Sequence, residues 1–60
     1  MTVEISDVII DKVRDIMMAD DEEHRRPSDM SVFMMTLRLQ QRMKDCSFRS
    51  YEDAYYDMMY

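Results

Sequence analysis

Sixty residues carry 8 Lys/Arg against 13 Asp/Glu, a net charge of −5 that sets the chain against the positive field needed to bind nucleic acid or an anionic membrane. So short a chain forms one domain at most and lies near the lower limit for burying its own core. Glycine is absent, so left-handed turn positions lack their usual occupant, and helices with short connections are favoured over tight β-hairpins.

The first predicted helix spans residues 3–18, with Thr2 or Ser6 as its N-cap. At 100° per residue, Ile5, Ile9, Val13, Ile16 and Met17 gather on one face, widened by Val3 and Ile10. Opposite them, Glu4, Asp7, Asp11 and Asp15 lie within about 80° of one another. Asp20 would fall in the middle of the apolar face, so the helix either frays near Ala19 or carries its last turn beyond the core. The polar stretch ADDEEHRRP follows, and Pro27 biases Arg26 away from the α region, which makes this the first connection. Whether its first residues extend the helix is left open by the pattern.

A second helix is predicted over residues 29–45, capped by Ser28 or Asp29. It has two apolar faces, one of Met30, Phe33, Met34 and Leu37, the other of Val32, Met35, Leu39 and Met43, with Ser31, Arg38, Arg42 and Asp45 on a narrow polar strip. A helix apolar on most of its circumference is expected to be covered on two sides, which makes this the central element. CSFRS leads to a third helix over residues 51–59, capped by Ser50 with Asp53 three residues on. Tyr51, Ala54, Tyr55, Met58 and Met59 share its apolar face, and Glu52, Asp53, Tyr56, Asp57 and Tyr60 the other. The predicted fold is all-α, a single domain over residues 1–60 built as a small three-helix bundle.

The charge is unevenly placed. Residues 1–30 hold four Lys/Arg and nine Asp/Glu, whereas residues 31–60 hold four of each. Acids at i,i+4 repel, costing an isolated helix about 0.2–0.5 kcal/mol per pair, and Lys12 and Arg14 offset part of that. Asp7 favours the helix dipole, but Asp15 and the run Asp20, Asp21, Glu22 and Glu23 lie at its unfavourable end. Local helix stability therefore accounts for the first acids better than for the last. The binding reading is that stripe and run stand in for phosphates in a basic groove. The imitation is sparse, with carboxylates about 6 Å apart along a helix against roughly 3.4 Å of rise per phosphate on one DNA strand. A second patch joins Tyr56 and Tyr60 to Glu52, Asp53 and Asp57, pairing aromatic contact area with negative charge. Nine methionines add either core filler or an adaptable binding surface.

Reaction chemistry is poorly represented. Cys46 and His24 lack a third group and oxyanion donors, so neither is assigned a catalytic role, and a lone cysteine forms no internal disulfide. Glu22, Glu23 and His24 are adjacent, which scatters them around a helix, and no second histidine completes a metal site. Phosphate-loop and dinucleotide signatures need glycines. No enzyme activity, cofactor or metal is expected. Arg38 and Arg42, one turn apart, suit a carboxylate or phosphate but more often meet acids of their own chain. With no secretory signal and no run of about 18 apolar residues, a soluble cytoplasmic protein is expected, with no membrane partner.

In length, acidity and helical content the chain resembles the small inhibitor proteins that bacteriophages and mobile elements direct at host defence, anti-CRISPR proteins among them. The resemblance is one of overall profile. It implies a stoichiometric blocker that binds a basic surface of a nucleic-acid-binding complex within the host cell, some members of that group being DNA mimics. The alternative is a helical adaptor or a dimeric antitoxin or regulator of ribbon-helix-helix type, with TVEIS as the strand and RRPSDMSVF opening the second helix. A homodimer would explain the stability of so short a chain. The strand of that family reads bases with basic or amide side chains, whereas here Glu4 is the polar side chain between Val3 and Ile5.

Overall fold

The computed structural model describes residues 6–60, and over them the chain forms three helices: α1 (Asp7–Asp20), α2 (Asp29–Asp45) and α3 (Tyr51–Met59). Each begins at a serine in extended conformation whose hydroxyl oxygen accepts the backbone N–H three residues on: Ser6 from Ile9, Ser28 from Ser31, Ser50 from Asp53. An acid follows each cap within the first turn, where it complements the helix dipole. The expected bounds hold for α2 and α3. For α1 they shift: the helix starts after Ser6 rather than at residue 3, and runs to Asp20 rather than 18. Glu4, the remaining apolar residues Val3 and Ile5, and the strand expected at TVEIS lie outside the described residues, apart from the strand's last position, Ser6, which caps α1.

All three helices pack against one another, forming a small all-α bundle. Its centre is Val13 and Ile16 from α1, Val32, Thr36 and Leu39 from α2, and Ala54 and Tyr55 from α3. The Thr36 hydroxyl donates to the Val32 carbonyl at 2.7 Å, so the buried polar group is satisfied within its own helix. Ile9, Ile10, Met17, Met35, Met43, Phe48, Tyr51 and Met58 pack around this centre half-buried. Met59, expected on the apolar face of α3, is exposed instead.

Of the two apolar faces of α2, the one through Val32 and Leu39 is covered, while Met30, Phe33 and Met34 on the other remain exposed, Met30 by 69%. Three helices do not surround a fourth side. The α1–α2 connection closes through backbone bonds from Asp21 to Met18 and from His24 to Asp21, and His24 there has φ 52°, the one positive φ among the described residues. In a chain without glycine a β-carbon must occupy that left-handed position, costing about 1–2 kcal/mol. Part is offset where His24 Nδ1 lies 3.1 Å from the Met18 carbonyl, donating to it when protonated at that nitrogen.

Candidate functional site

Asp7, Asp11 and Asp15 project from the solvent side of α1, all exposed. Arg14 reaches back to Asp11 at 2.8 Å and across to Asp29 at 3.5 Å, neutralising the middle of the stripe. Among the described residues, Asp7 and Asp15 have no ion pair. Lys12, beside the stripe, crosses to Glu52 on α3 at 3.4 Å. That bridge draws two of the expected patches together: Lys12, Asp15, Ile16, Ala19, Glu52 and Tyr56 line one shallow groove of ≈ 250 Å³ between α1 and α3. The C-terminal end of the acid stripe, at Asp15, therefore meets the acidic, aromatic face of α3 in this groove.

On α3, Asp53 is exposed without an ion pair among the described residues, whereas Asp57 is bound by Arg42 of α2. The same guanidinium lies over Phe48, 5.8 Å from the ring centroid, so one arginine ties the second connection to both helices. Arg38, its expected companion, is exposed and takes no part in that bond. Tyr56 packs edge-on to Tyr55 with ring centroids 5.4 Å apart, and 6.0 Å from Tyr60 at a tilt of 31°.

The acidic run has a different organisation from the stripe. Asp20 accepts hydrogen bonds from the Tyr55 hydroxyl, at 2.8 Å, and from the Tyr60 hydroxyl, so both of its oxygens serve the packing of α3 on α1. Asp21 accepts the Arg25 backbone N–H at 2.9 Å and lies 3.4 Å from its side chain, and Glu23 lies 3.5 Å from the same guanidinium. The Arg25 backbone bond, with its side chain, lowers the Asp21 pKa. Glu22 is exposed without an ion pair among the described residues. Burial, reinforced by the bond to Asp20, pushes the Tyr55 phenol up to about 12, and the bond to Asp20 raises Tyr60 as well. The wheel held the signal for this: an acid placed among apolar residues needs a donor, and tyrosine on the facing helix supplies one.

The arrangement suits recognition by charge and aromatic contact. Among the described residues, no group of three or more His, Cys, Asp or Glu side chains is placed to hold a metal ion, and no helix is long and apolar enough to cross a membrane. Cys46 is a free, exposed thiol at the end of α2. No protein-family model matches the chain, and neither a curated protein nor a solved structure matches it.

Proposed function

We propose that the protein is a stoichiometric inhibitor that docks the α1–α3 face onto a basic surface of a nucleic-acid-binding host-defence complex, in the manner of the phage and mobile-element inhibitors it resembles in profile. One observation carries this reading: Asp15, Glu52 and Tyr56 line a single groove, with Asp53 next along α3 and Asp7 two turns back along α1, both without an ion pair among the described residues. Asp15 and Asp53, unpaired among the described residues, offer full charge to a partner's Lys and Arg, which form charge-assisted bonds with them, whereas Glu52 is shared with Lys12 and Tyr56 contributes desolvated contact area. The spacing supports local pairing with arginines that otherwise hold phosphates, rather than imitation of a continuous strand. Asp20 and Asp21, engaged in bonds to Tyr55, Tyr60 and Arg25, stabilise the shape of the face more than its contact with a partner.

Competition measures the proposal. A candidate nuclease complex is mixed with DNA and increasing protein, and displacement of DNA is followed at low and raised salt. The expected result is displacement that weakens with salt and falls at least tenfold in Asp15→Lys and Asp53→Lys, with helical circular dichroism unchanged. Inhibition retained by both reversals would exclude the acidic face as the binding surface.

A further inference from the structure

A groove of ≈ 370 Å³ between α1 and α2 shares no residue with the groove of Asp15, Glu52 and Tyr56. It is lined by Met17 of α1 and by Met30, Ser31, Met34, Met35 and Arg38 of α2, so four of the chain's nine methionines meet there. We propose that these thioethers form a binding site for one soft monovalent metal ion, of which Cu(I) is the biological representative.

The placing of the methionines separates this role from that of core filler. The buried apolar centre is Val13, Ile16, Val32, Leu39, Ala54 and Tyr55, with no methionine among them. Met17 and Met35 are half-buried at the groove, and Met30 and Met34 are 69% and 49% exposed, so their sulfurs are open to an ion arriving from solvent. Where α2 packs into the centre it uses Leu39; where it faces the groove it uses methionine. Leucine would give the same helix propensity and apolar area there without a donor atom. Met30 and Met34 stand one turn apart, with β-carbons about 5–6 Å from each other. Met35 borders Met34, and Met17 approaches from the facing helix. Three rotatable bonds let each side chain turn its sulfur towards a common ion.

The donor type selects the ion. No carboxylate, imidazole or thiol lines the groove, and the Ser31 hydroxyl oxygen already accepts from the Ser28 hydroxyl at 2.9 Å. Mg²⁺ and Ca²⁺ need oxygen ligands, whereas thioethers favour Cu(I). Arg38, at the edge of the groove, acts against every cation alike, and the net charge of −5 on the chain opposes its field.

Silver(I), a soft monovalent ion stable in air, is the probe. It is titrated in chloride-free buffer into the full chain labelled with methyl-13C methionine, as wild type and as Cys46→Ser, which removes the exposed competing thiol. One equivalent should shift the methyl signals of Met17, Met30, Met34 and Met35 in both proteins and leave those of Met43, Met58 and Met59 in place in Cys46→Ser. In the same background, anaerobic competition against a chromogenic Cu(I) chelator should show binding at least tenfold weaker in Met30→Leu and in Met34→Leu, with helical circular dichroism unchanged. Leucine keeps the apolar surface and removes only the donor. Shifts spread equally over all these methionines overturn the proposal. So does binding that is lost with Cys46→Ser, or leucine variants that bind as tightly as the parent.

Discussion

Asp20 is the residue at which local pattern and tertiary context differ most. By periodicity it belongs to the apolar face of α1, an unfavourable place for a carboxylate. The hydroxyls of Tyr55 and Tyr60 reverse that, and Tyr55, only 4% exposed, gains a partner for a polar group it could not otherwise bury. Tyr55→Phe should cost about 1–2 kcal/mol in denaturant unfolding, since it removes a bond to a charged acceptor. It should also change the alkaline profile. A phenol raised from 10.0 to about 12 holds its stabilising, protonated form in the folded state. That contribution is complete below about pH 10 and is lost as pH rises through the folded value. Wild-type stability should therefore decline between about pH 10 and 12, and Tyr55→Phe should flatten this slope. At the acid end the sign is opposite. The lowered Asp21 contributes above its ordinary value of 3.8 and loses that contribution as pH falls through its folded value.

Among the elements, the three helices share one starting device, a serine followed by an acid in the first turn, and this was legible in the sequence because capping depends on neighbours three residues apart. Ser28→Ala tests it where the central helix begins. Removing an oxygen that accepts from Ser31 at 3.2 Å should lower stability by about 1 kcal/mol, read as a drop in the urea midpoint with an unchanged m-value. Helix ends were less legible. With no glycine to close α1, the chain continues through Asp20 and turns at His24, a residue type that enters the left-handed region more readily than most, though no spacing along the chain marks it for that place. The bounds of α2 and α3 were readable because Pro27 and CSFRS interrupt the apolar periodicity sharply on either side.

For the molecule as a whole, the small centre makes each large side chain decisive. Leu39 is fully buried where α2 meets its neighbours. Leu39→Ala should cost about 2–5 kcal/mol, against a total of about 3–5 kcal/mol that a core of this size supplies. Far-UV circular dichroism at 25 °C should accordingly show a largely unfolded chain, whereas Met30→Ala, at an exposed position, should leave the helical signal intact. The same shortage of interior explains why part of the apolar surface of α2 faces outward. Three helices of these lengths enclose one stripe from each, and a helix with two apolar stripes leaves one exposed.

The sequence by itself determined the helical class, the cap of the third helix, the limits of the second and third helices and the outward placing of Asp7, Asp11 and Asp15, because each rests on spacings of three or four residues along one helix; for the first two helices it narrowed the cap to a pair of candidates, of which Ser6 and Ser28 serve. Tertiary structure decided the longer pairings, beyond the local ones of Arg14 with Asp11 and Arg25 with Asp21. Arg42, Lys12 and two tyrosine hydroxyls reach Asp57, Glu52 and Asp20 across the bundle. Charge counted along the chain carries no record of such pairings, since a contact across 35 or 40 residues depends on how whole helices settle against each other. That settling left Asp7, Asp15 and Asp53 without ion partners among the described residues, joined Asp15 to Glu52 and Tyr56, and left Met30, Phe33 and Met34 uncovered.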